Sequence, residues 1–183
     1  PYGTEFMISL PLAADRFSQD ETRFRAFEAS FQSRERAFAY IGLEGSEKGR
    51  LMLYSLSDQQ LRPLTSPDWR VLDFKPYRQG DRILFSAIAS SSSVQQDAQL
   101  FAVTTGLNPL ASDEGATEAG EVTRILDSGA YQNLKFDLSP DGQIIVVQRI
   151  SRTDPEDSGP WVVVQGEEPR RLETEPGGDF LIA

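Results

Sequence analysis

Residues Phe136 to Val147 read FDLSPDGQIIVV. Two alternating apolar runs flank Ser139-Pro140-Asp141-Gly142, and a period of two is what a strand needs to sort its side chains between opposite faces. Pro presets φ, Asp bonds the local backbone and Gly accepts a positive φ. The four residues therefore predict a tight turn between two antiparallel strands, and Asp141 reads as a turn residue rather than a working carboxylate.

The stretch has a copy upstream. Leu72 to Ala87, LDFKPYRQGDRILFSA, lies over Leu134 to Arg149, LKFDLSPDGQIIVVQR. Leu72 meets Leu134, Phe74 meets Phe136, Gly80 meets Gly142 and Phe85 meets Val147, each pair 62 residues apart. A fainter copy, Phe27 to Gly42, puts Phe27, Phe38 and Tyr40 beneath Leu72, Ile83 and Phe85 at an offset of 45.

A second hairpin follows each copy. RLMLYSL leads to QLRPLTS, AQLFAVT to EVTRILDS, and PWVVVQG to PRRLETE. The last strands share Arg-x-Leu at Arg62/Leu64, Arg124/Leu126 and Arg170/Leu172. The unit is thus four antiparallel strands, repeated at 27–66, 70–128 and 132–175, with 178–183 reading as the first strand of a fourth. Residues 7–26 read as an arm or short helix, and 1–6 as residues added ahead of Met7.

A four-stranded repeat with Ser-Pro-Asp-Gly after its first strand and Arg-x-Leu in its last resembles the TolB-like β-propeller repeat. Phe136 to Thr174 carries the motif best; the middle unit has KPYRQGDR in its place and the first has FQSRER. The resemblance implies an all-β fold of propeller-type blades, three full ones and the start of a fourth. It also implies a periplasmic or envelope location. Three blades do not close a ring, because each needs a neighbour on both faces. Closure calls for a second copy making a six-bladed ring, for further sequence, or for an open stack with covered edges.

Charge and composition exclude several functions. The net charge of −10 opposes binding to nucleic acid. No apolar run reaches the roughly 20 residues of a membrane span. With no Cys and no His, the chain has no disulfide, thiolate nucleophile, Ser-His-Asp triad or imidazole metal site. No Gly-rich phosphate loop opens a helix. The expectation is a non-enzymatic module without catalytic residues, metal or cofactor.

The loops joining second to third strands gather at one end of a blade stack. They carry Glu44, Glu47, Asp97, Asp154, Glu156 and Asp157, with Trp161 opening the strand after the last loop. A ring of carboxylates there would receive a basic peptide or protein segment, with Trp161 as an anchor. A solvated acidic loop and a packed Trp are the plainer reading of the same residues. The spacing of Asp154, Glu156 and Asp157 does not match the D-x-[DN]-x-[DN]-G calcium loop. Two other readings share the scaffold: an accessory propeller of a larger hydrolase or peptidase, and a carbohydrate- or cation-binding module.

Overall fold

The computed structural model describes residues 24–28, 36–44, 48–55, 59–88, 97–107, 118–127 and 129–172. They form twelve strands. The first sheet holds β1 (Phe24–Glu28), β2 (Arg36–Glu44), β3 (Lys48–Ser55) and β4 (Leu61–Pro63). The second holds β5 (Arg70–Pro76), β6 (Arg82–Ile88), β7 (Gln99–Thr104) and β8 (Val122–Leu126). The third holds β9 (Tyr131–Leu138), β10 (Ile144–Ser151), β11 (Gly159–Val164) and β12 (Arg170–Arg171).

Each sheet is an antiparallel meander whose spatial order follows the chain. The described residues contain no α-helix, and no helix among them is long and apolar enough to cross a membrane. The architecture is all-β, and among the described residues the three four-stranded sheets do not close into a ring. β1 starts at Phe24, ahead of the expected Phe27, because its pairing with β2 continues to Phe24 opposite Tyr40. The segment 178–183 and most of 7–26 lie outside the described residues.

The repeated turn behaves as its residues dictate. The Gly142 amide donates to the Ser139 carbonyl at 2.8 Å, and the Gly80 amide to the Tyr77 carbonyl at 2.9 Å. Both glycines sit at positive φ, 75° and 76°. Asp141 accepts the Ser139 hydroxyl at 2.5 Å and the Gln143 amide at 3.1 Å. Those two bonds, the Ser139 one foremost, hold its carboxyl below the usual range. Its Oδ1 accepts both bonds within the turn, as a turn residue does.

Period-two alternation builds the stack. Ile83, Phe85, Phe101 and Val103 face the first sheet and pack with Ile41, Leu51 and Leu53. Leu84, Leu100 and Ala102 point the other way, onto Phe136, Ile145, Val147 and Val163 of the third sheet. The middle sheet is therefore buried on both faces, which is why RILFSAI is apolar without clean alternation. Phe74 and Phe85 are fully buried, each contributing about 1.5–3 kcal/mol of transfer free energy. Trp69, in the connection between sheets, closes this core, its ring 4.7 Å from Phe101 and 5.9 Å from Phe85.

The far face of the third sheet has a different fate. Leu84 is sealed, whereas Val146, which holds the same place in the next repeat, is only half-buried. Ile144 and Ile150 beside it are each 40% exposed.

Candidate functional site

The end of the stack that carries the β6–β7 and β10–β11 loops is built around one arginine. Along β10, alternate residues Ile145, Val147, Arg149 and Ser151 are buried, so the pattern that buries two aliphatic side chains also buries a cation. A register shift between Val147 and Arg149 marks the point where the strand turns from core to loop.

The guanidinium of Arg149 lies over two rings, 4.1 Å from the Tyr131 centroid and 4.9 Å from that of Trp161. The rings meet edge to face with centroids 5.3 Å apart. Arg149 Nε donates to Asn133 Oδ1 at 3.1 Å, and Nη2 donates to the Asp127 carbonyl at 2.9 Å. Asn133 in turn donates to the carbonyl of Ala98, the residue just ahead of β7, at 2.9 Å. Burial pulls the Arg149 pKa down from its ordinary value, partly opposed by Tyr131, Asp127 and Asp157.

The β10–β11 loop is pinned by its own short side chains. The Asp154 carboxylate accepts the Glu156 amide at 3.0 Å and caps a one-turn 3-10 helix, Pro155–Asp157. The Ser151 hydroxyl accepts the Asp154 amide at 3.1 Å, and the Ser158 hydroxyl accepts the Ser151 amide at 3.0 Å. The Tyr131 hydroxyl donates to Asp157, a bond that raises the phenol's pKa above its ordinary value, with burial adding to it. Arg152 pairs with Asp97, tying this loop to the β6–β7 connection of the second sheet.

Of the residues singled out in the sequence, Asp97, Asp154, Glu156, Asp157 and Trp161 come together at this end. Asp97 is engaged by Arg152, Asp157 by Tyr131 and Asp154 by its own loop, while Asp154 and Glu156 remain exposed. Trp161 packs against the core between the second and third sheets, with its Nε1 buried and without a hydrogen-bond partner. Glu44 closes β2 opposite Lys48, and Glu47 lies outside the described residues. Among the described residues no group of three or more acidic side chains is arranged to hold a metal ion.

Arg149, Tyr131, Asn133 and Arg152 are the residues that sequence reading missed. The available signal was a charged residue at an inward period-two position, two places beyond Val147. Arg124, one of the repeated arginines, pairs with Asp127 at 3.1 Å on the exposed surface. Such a pair contributes roughly 0–1 kcal/mol.

No family model matches the chain, and no curated protein matches it. Among solved structures it is similar to TolB from Acinetobacter baumannii, with 15% identity and a TM-score of 0.47 over 73% of this chain and 29% of that one. It is also similar to the tricorn protease, with 15% identity and a TM-score of 0.34 over 82% of this chain and 22% of that one. The chain therefore spans less than a third of the length of either protein.

Proposed function

We propose that the protein is a non-catalytic scaffold that binds a basic protein or peptide segment through the loop-bearing end of its blade stack. The observation that carries this reading is the lock between loops. Arg152–Asp97 joins the second and third sheets, and the Arg149 cluster fixes the strand ends beneath. A surface ordered before binding loses less conformational entropy when a partner arrives. Asp154 and Glu156 stay exposed on it and supply charge complementarity. The periplasm or envelope is proposed as its location, on the resemblance of the Ser139–Gly142 repeat alone.

The test is fluorescence anisotropy with labelled Lys/Arg-rich peptides at low and physiological salt. The expected result is saturable binding, weakened several-fold by combining Asp154→Asn with Glu156→Gln. Absence of binding at low salt, or identical binding by the double variant, would remove the reading.

An accessory propeller of a larger hydrolase is the second reading. The exposed Ile144 and Ile150 favour it, because a blade face of this kind is covered by a neighbour elsewhere in the stack. The same face suits ring completion by a second copy.

A further inference from the structure

At the other end of the sheets, the β5–β6 and β9–β10 turns flank an open groove of about 370 Å³ lined by Lys75, Pro76, Arg78, Leu138 and Pro140, with Asp137 and Ser139. We propose that this groove binds a peptide through an acidic side chain flanked by apolar residues. The site is separate from the loop-bearing end and stands independently of it.

The cations are spare as far as the turn is concerned. Ser139-Pro140-Asp141-Gly142 and Tyr77-Arg78-Gln79-Gly80 make the same hydrogen-bonded turn around a glycine at almost the same φ. The second sheet thus keeps the turn without Pro or Asp, and its geometry does not call for an arginine at position 78. Arg78 is exposed on the groove wall, and no carboxylate among the described residues pairs with it.

One carboxylate, Asp137, shares the groove wall and is held by Lys75, while Asp141 and Asp81 are engaged beside it. Asp137 binds Lys75 at 2.7 Å, Asp141 binds Ser139 at 2.5 Å, and Asp81 binds Arg82 at 3.2 Å. Lys75 spends one of its three ammonium protons on Asp137, and both residues line the groove. An incoming carboxylate would meet the fork of Arg78 and the remaining donors of Lys75, while Pro76, Leu138 and Pro140 offer apolar walls. The chain's overall negative charge does not forbid this, since charges beyond about 8 Å are largely screened at physiological ionic strength.

The test uses fluorescein-labelled Gly-Leu-Glu-Leu-Gly and its Gln counterpart, titrated with the wild-type chain, Arg78→Ala and Arg78→Glu. Circular dichroism confirms that the variants keep their strands. The Glu peptide should bind, with the Gln peptide and the Arg78→Ala variant each weaker by about tenfold, the scale of one charge-assisted hydrogen bond. Arg78→Glu should abolish binding, and Glu156→Gln at the opposite end should leave it unchanged.

Equal binding of the two peptides, indifference to Arg78→Ala, or no binding up to millimolar concentration would overturn the proposal. Displacement by inorganic phosphate at concentrations no higher than the peptide's own would also overturn it, in favour of a plain anion site. Basic peptides read the other end, so either site can fail without the other.

Discussion

Lys75 and Asp137 hold the same place in successive repeats, 62 residues apart, and their side chains meet at 2.7 Å across two sheets. One repeat carries the cation and the next the anion, so identical backbone positions become partners. The pair is partly exposed, 22% and 48%. A double-mutant cycle with Lys75→Met and Asp137→Asn, read by urea unfolding, should give a coupling of about 0.5–1 kcal/mol that shrinks with salt. A coupling of zero at low salt would mean the pair only decorates the interface.

Gly142 does two jobs. Its φ of 75° strains any L side chain, and a Cβ there would stand 2.8 Å from Tyr77 Cδ1 of the neighbouring sheet. Gly166 has a φ of 86° but open space around it. Gly142→Ala should cost about 1–3 kcal/mol more than Gly166→Ala in chemical denaturation, the difference being the clash. Equal losses would show that Tyr77 moves aside freely.

Arg149 should not tolerate replacement. Arg149→Met removes the donors to Asn133 and to the Asp127 carbonyl, at a cost of about 2–3 kcal/mol. Arg149→Lys keeps the charge but loses the flat fork between two rings, and should recover less than half of the loss. Fluorescence of Trp161 gives a local readout alongside unfolding, since its ring lies 4.9 Å from the guanidinium.

Two groups should titrate in opposite senses. The Tyr131 phenol is raised by its bond to Asp157, so the stability it contributes is present below the ordinary phenol value and lost as pH rises through the folded value. Asp141 is depressed by Ser139, so its contribution is present above the ordinary carboxylate value and lost as pH falls through the folded one. Ultraviolet titration of Asp157→Asn should bring the phenol down towards its ordinary value. Carboxyl NMR of Ser139→Ala should bring Asp141 up.

The exposed β10 face predicts association. Light scattering coupled to size exclusion should find a mass of about 40 kDa, two chains of 20.4 kDa, if a second copy covers Ile144 and Ile150. Ile150→Lys should return the species to one chain. A wild-type monomer at every concentration would leave an open stack or cover from further sequence.

The blades were legible because their causes are local. Gly80 and Gly142 mark turns, and the Phe74/Phe136 and Phe85/Val147 matches mark faces, so strand number and order follow from chain position alone. The site was less legible because its causes are not local. Asp97 reads as one more acid in an acidic chain until Arg152 reaches it from the next sheet. Arg149 ends an apolar run and looks like a strand terminus. Its burial depends on Tyr131 and Trp161 from two neighbouring strands, a convergence that only pairing register creates. Trp161 shows the opposite case: a candidate anchor from its place beside a loop, it is packed largely into the interface between sheets.

The double-sided burial of the middle sheet orders the molecule in time as well as in space. β6 is covered by the first sheet through Phe85 and by the third through Leu84, so its amides open only when both neighbours let go. β12, two residues long and paired among the described residues with β11 alone, can detach without disturbing either core. Deuterium should therefore enter β12 within the earliest exchange times and reach β6 last. Protection should rise from the stack's margin to its centre, with the whole array losing its last protected amides together.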